Sequence, residues 1–173
     1  PTLDGMTLAP TQLEFAQASS DLMLEGTVKR MLVRGDSTVV LTNDAKTPHL
    51  YLINNKKRVI EKELSVEGLV EGSADDLGFY SSLNDIAFTA DGKLVGVNSV
   101  RTQFNNTTVD DGYKRGQLNV YIWNTFDEAP KTWFTTNSSC NFNRADMGRG
   151  LAVNGDSDEC QVVTTGTTSG SSK

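Results

Sequence analysis

Apolar and polar residues alternate with a period of two in short runs bounded by turn residues, the pattern of half-buried strands. Residues 28 to 43 read VKRMLV, a turn RGDS, and TVVLTN, which predicts a hairpin. Residues 84 to 98 repeat the design as NDIAFT, ADG and KLVGVN. Residues 149 to 165 return it as RGLAVN, GDSDE and CQVVTT. The turn aspartates Asp36, Asp91 and Asp156 recur at intervals of 55 and 65 residues.

Two further strand-like segments follow each of the first two hairpins: His49 to Asn54 with Val59 to Val66, then Leu118 to Trp123 with Lys131 to Thr136. A four-stranded antiparallel unit recurring along a chain predicts an all-β fold of β-propeller blades. The blades span 25–70 and 80–137, with an incomplete third over 148–173, so that about two and a half are present. Closed rings use about 4 to 8 blades, and the ring is therefore expected to be incomplete. The Gly/Ser-rich stretch GTTSGSSK, of the kind proteases nick, supports reading a piece of a longer propeller, or a chain completed by another copy. A self-contained β-sandwich is the competing architecture. Residues 1–24 are read as an extended or closing segment, with a short helix through Leu13, Phe15 and Leu22 as the alternative.

Composition agrees and removes several functions. Val (15) and Thr (19) sit with 15 Gly, which favours strands and tight turns. A net charge of −6 spread along the chain argues against a nucleic-acid binder, which needs a clustered basic face. No run approaches the ~20 apolar residues of a membrane span. The N-terminus lacks a signal peptide's layout, and an extracytoplasmic location (periplasmic, cell-surface or secreted) is expected with the signal already removed. Cys140 and Cys160 lack metal-ligand spacing and are read either as a disulfide or as two thiols.

The stretch NDIAFTADGKLVGVN, with RGLAVN and the LYLINNKK and VYIWN strands, resembles the NHL and gluconolactonase-like propellers, including uncharacterised secreted propellers of gut bacteria. The resemblance covers residues 25 to 165 and implies the fold more than any activity, because this scaffold hosts many functions. Lactonase-type propellers carry an acidic residue in an EGxV motif, here Glu25-Gly26-Thr27-Val28, and an Asn in an NDxxxDxxG motif, here starting at Asn84-Asp85. The resemblance therefore implies Glu25 and Asn84 as ligands of a cation such as Ca²⁺. Arg149 stands where a third ligand, an Asn, is expected, and a cation there disfavours a metal.

Other constellations have structural readings. Arg34-Gly35-Asp36 spells an adhesion tripeptide but occupies a predicted tight turn. Asp156-Ser157-Asp158-Glu159 lacks calcium-loop spacing. Tyr121, Trp123, Trp133 and Phe134 are expected to pack between blades, the alternative being a sugar-stacking platform. His49 begins a strand without a triad partner. Asn106 and Asn137 lie in glycosylation-type tripeptides and mark surface loops, as do the polar insertions at Asp75-Asp76 and Phe104 to Gly116.

Two functional readings follow. The first is a non-enzymatic binding or interaction propeller that uses Asn84, Asp85 and Arg149 at a channel mouth, with a carbohydrate or protein ligand and no metal. Its partners include the remaining propeller blades or another copy of the chain. The second is a metal-dependent lactonase or hydrolase with Glu25 and Asn84 on the metal.

Overall fold

The structure is a computed structural model and describes residues 22–44, 47–70, 83–101, 116–135 and 150–164. Every regular element among them is a strand. β1 (Thr27–Arg34), β2 (Ser37–Asp44), β3 (Thr47–Asn54) and β4 (Val59–Glu63) form one sheet in that order. β5 (Asp85–Phe88), β6 (Leu94–Arg101), β7 (Gly116–Trp123) and β8 (Lys131–Thr135) form a second. β9 (Leu151–Asn154) and β10 (Gln161–Thr164) pair in a third. All pairings are antiparallel between chain neighbours, so each sheet is a meander.

The three hairpins expected from alternation thus fall in three separate sheets. The first turns through Gly35 and Asp36 alone, because Arg34 pairs with Ser37 and Gly35 takes a φ of 57° that a glycine adopts freely. Val59 to Val66 is strand only to Glu63, although the Leu64 N–H still reaches the Leu50 carbonyl at 2.8 Å. The segment 1–21, the insertions near Asp75-Asp76 and Phe104, and Asn106, Asn137, Cys140 and Arg149 lie outside the described residues.

Alternation gives each sheet two faces, and the sheets stack in chain order. The front of the first sheet supplies Val39, Leu41, Leu50 and Leu52 to a core shared with Ile86, Leu94, Tyr121 and Trp123 on the back of the second. The front of the second sheet packs Val95, Val97, Val120 and Ile122 against Leu151, Val153 and Val162 on the back of the third. The middle sheet is therefore apolar on both faces, and burying each Leu or Val there stabilises by roughly 1.5–3 kcal/mol. The first strands also lie side by side, β1 against β5 and β5 against β9.

A second regularity lies in how each sheet holds the chain that enters it. Tyr51 on β3 accepts the Glu25 N–H at 3.2 Å, and Thr42 Oγ1 on β2 donates to the Glu25 carbonyl. In the second sheet Tyr121 accepts the Val70 N–H at 2.9 Å, and Asn98 Nδ2 donates to the Val70 carbonyl at 3.2 Å. The registers make these pairs equivalent: Met31, Val40 and Tyr51 lie in one row across the first sheet, as Ile86, Gly96 and Tyr121 do across the second. Each strap runs over the back face of its own sheet.

Candidate functional site

Where the first strands begin, the sheets are joined by one carboxylate. Asp85 is buried, and it accepts Arg30 Nε at 2.7 Å and Arg30 Nη2 at 2.8 Å from the first sheet. It also accepts its neighbour's N–H, from Ile86, at 2.9 Å and the Leu151 N–H at 2.8 Å from the third. A forked guanidinium on a buried carboxylate is a strong, directional pair. Four donors occupy its two oxygens, so Asp85 acts here as a rivet through three sheets.

The other sequence-expected residues at this end separate from one another. Asn84 is half-buried, and its N–H donates to the Val97 carbonyl at 2.8 Å. Glu25 is exposed, its backbone held by Tyr51 and Thr42 and its carboxylate 3.8 Å from His49 Nε2. His49 is not solitary: its Nδ1 meets Glu63 at 2.6 Å, and its ring stacks on Tyr51 at 5.9 Å and 9°. Burial pushes the Tyr51 phenol up, against the Glu25 N–H bond that favours its ionised form. Among the described residues no three His, Cys, Asp or Glu side chains converge as a metal site. Asn43 was not anticipated. Its Nδ2 donates to the Leu83 carbonyl at 2.9 Å, while its buried Oδ1 has no partner among the described residues.

The opposite end, at the hairpin tips, holds a cleft of about 310 Å³ between the first two sheets. Val39, Leu52, Phe88 and Phe126 give it an apolar lining, with Arg34 and Asp91 at its rim. Arg34 lies over the Phe88 ring at 5.7 Å and donates to the Thr89 and Ala90 carbonyls at 3.2 and 3.1 Å. Gly92 packs beneath the Arg34 guanidinium at a φ of 95°, a backbone conformation that residues with a side chain rarely adopt. The cationic and anionic ends of the adhesion-like tripeptide are thus engaged within the chain, since Asp36 accepts from Lys56 at 2.6 Å.

Asp91 continues the tip across to the third sheet. It accepts the Ser157 N–H at 2.9 Å and Ser157 Oγ at 2.6 Å, and Lys93 Nζ reaches Ser157 Oγ at 2.7 Å. The Ser157 hydroxyl, followed by Thr89, holds the Asp91 carboxyl well below the usual carboxylate range. Of the four aromatics, Tyr121 and Trp123 are fully buried, Trp123 donating to the Ser65 carbonyl at 2.8 Å, whereas Trp133 and Phe134 are exposed on β8. Trp133 is the extra residue at the register shift between Thr132 and Phe134 in the β7–β8 pairing.

No single sequence signal marks the cleft, because its walls come from β1, β2, β3, β5 and the turn at Phe126. Only the turn residues Arg34 and Asp91 stood out beforehand. No protein-family description, curated protein or solved structure matches this chain.

Proposed function

We propose that the chain is a binding module of β-propeller type, its sheets acting as successive blades, which takes a small, partly apolar ligand in the cleft between the hairpin tips. The observation that carries this is the amphipathic lining: four apolar side chains beside a fixed guanidinium and a carboxylate. A concave apolar site with a few convergent polar groups is the usual form of a small-molecule site, and about 310 Å³ lies at the small end of that class. The shared stacking and the paired straps support the blade reading. The extracytoplasmic placement rests on the sequence alone. A ligand with a planar or aliphatic body and a carboxylate near Arg34 fits this chemistry.

A second reading places a polar ligand at the strand-start end, and the unpartnered Asn43 Oδ1 favours it, since that oxygen asks for a hydroxyl or amide donor such as a sugar supplies. The metal-dependent lactonase alternative would use Glu25 and Asn84, and among the described residues no three His, Cys, Asp or Glu side chains converge beside them. The test is thermal-shift and calorimetric screening with aromatic and aliphatic carboxylates, neutral and acidic glycans, and Ca²⁺. Carboxylate binding weakened at least tenfold by Phe126→Ala supports the cleft. Glycan binding lost in Asn43→Leu but not in Phe126→Ala moves the site to the other end, and Ca²⁺ binding lost in Glu25→Gln restores the enzyme reading.

A further inference from the structure

The described stack ends in two faces that keep exposed apolar residues, and the registers show what each is built to meet. On the back of the first sheet Met31 and Val33 of β1 are 59% and 69% exposed, while Val40 and Tyr51 in the row of Met31 are buried. Met31 holds the place that Ile86 holds on β5 and Leu151 on β9, counted back from the turn aspartates. Those two are 0% and 7% exposed, because the front of the preceding sheet covers them. At the other end Val163 pairs with Ala152 on the front of the third sheet, as Val39 pairs with Leu32 and Val95 with Ala87. Val39 and Val95 are 1% and 0% exposed, while Val163 is 64% exposed. The residues left in solvent thus occupy the positions that form the inter-sheet cores elsewhere.

We propose that the front of the third sheet docks on the back of the first sheet of a second copy of this chain, and reciprocally, so that two chains close one ring. Both described interfaces join a front to a back, which is a head-to-tail contact and needs rotational closure to stop. Among the described residues one copy brings three sheets and two copies bring six, within the roughly 4 to 8 of closed rings. The tips also carry contacts of this sense: Asp91 on the second sheet accepts from Ser157 on the third. Exposed apolar patches of this kind mark protein contacts. The six-sheet count rests on the blade reading above, but docking is read from mass, which ligand binding in the cleft does not enter.

Sedimentation equilibrium and light scattering from micromolar to near-millimolar chain concentration test the proposal. The expected species has twice the 18.8 kDa chain mass. Met31→Asp and Val163→Asp each return it to the single-chain mass with an unchanged β-sheet circular dichroism spectrum, since both side chains are already exposed in one chain. Val59→Asp, at an exposed apolar residue on β4 away from both faces, leaves the mass doubled. A single-chain mass throughout overturns the proposal and gives the two faces to another polypeptide. Loss with Met31→Asp alone, Val163→Asp being inert, means back-to-back pairing and overturns it too.

Discussion

Replacing Asp85 tests whether the three sheets are held through one carboxylate. In Asp85→Ala the buried Leu151 and Ile86 N–H groups lose their acceptor, at about 1–3 kcal/mol for each donor left unsatisfied. The Arg30 side chain is 44% exposed, so water takes over much of its solvation, and the lost ion pair adds no more than about 1 kcal/mol. The sum is about 2–7 kcal/mol. For a domain of this size that corresponds to a fall of roughly 4–28 °C in Tm.

The isosteric Asp85→Asn is the sharper perturbation. The Ile86 N–H sits on one carboxylate oxygen and the Leu151 N–H on the other, so an amide satisfies only one and turns its own N–H₂ toward the second donor. Asparagine is therefore expected to cost nearly as much as alanine, and Arg30→Ala about 3–5 kcal/mol, because it leaves the buried Asp85 carboxylate without its counter-charge. Urea unfolding followed by circular dichroism gives the order, and amide exchange at Leu151 gives the location. An Asp85→Asn protein within 0.5 kcal/mol of the parent, a margin typical of exposed sites, with Leu151 still protected, would refute the rivet.

Gly96→Ala is expected to destabilise by about 1–3 kcal/mol, because its Cβ would stand 2.9 Å from Trp123 Cζ3 and 3.1 Å from Leu83 Cδ2, both fully buried; denaturant midpoints and tryptophan emission read it. Asp91 carries the acid dependence of the third sheet. Its folded pKa is depressed from 3.8, chiefly by Ser157, so its contribution is present above pH 3.8 and is lost as pH falls through the lower folded value. Between pH 5 and pH 2 the parent should lose amide protection in β9 and β10 that Asp91→Asn lacks already at pH 5. Equal protection in the two proteins at pH 5 removes the assignment.

The strands were legible in the sequence because their signals are local. Alternation over Val28 to Asn43 and the turn aspartates depend on nearest neighbours and the pleat alone, and the hairpins formed where expected. The inter-sheet contacts were not legible. Arg30 and Asp85 are 55 residues apart, and nothing in either neighbourhood says that a guanidinium on one sheet will meet a carboxylate on the next. Asp85 was expected to face a ligand, and its local motif is the same whether its oxygens meet a ligand or Arg30. Glu25 was singled out through a resemblance to metal-binding motifs, yet its backbone is what the fold uses, and a backbone contact leaves no side-chain signature. The cleft was invisible for a related reason: Val39, Leu52 and Phe88 read as ordinary core until the sheets splay at the tips.

The two equivalent strap sites show how depth selects chemistry at one position. His49 pairs with Thr42 across the first sheet, and Asn119 with Asn98 across the second. His49 then meets Glu63 on β4, whereas Asn119 Oδ1 accepts from Thr135 Oγ1 on β8 at 2.8 Å. In the first sheet His49 retains some exposure, its side chain 14% accessible, so Glu25 and Glu63 beside it keep part of their hydration. The second is covered on both faces, and Asn119 is wholly buried, where an ion lacking a counter-charge is costly. Its amide also donates to Asn98 Oδ1 at 3.0 Å, which an acceptor-only group cannot do. His49→Asn is therefore expected to cost about 1 kcal/mol, the net worth of its hydrogen bond with Glu63. Asn119→Asp, equal in size, is expected to cost about 3–5 kcal/mol, because it puts a charge at a wholly buried position. Its loss should shrink as the pH is lowered through the raised pKa such a buried carboxyl would have, because the protonated acid regains a donor for Asn98. Urea midpoints for both variants at pH 7 and pH 5 decide it. If Asn119→Asp proved as mild as His49→Asn, or equally unstable at both pH values, desolvation would not be what separates the two sites.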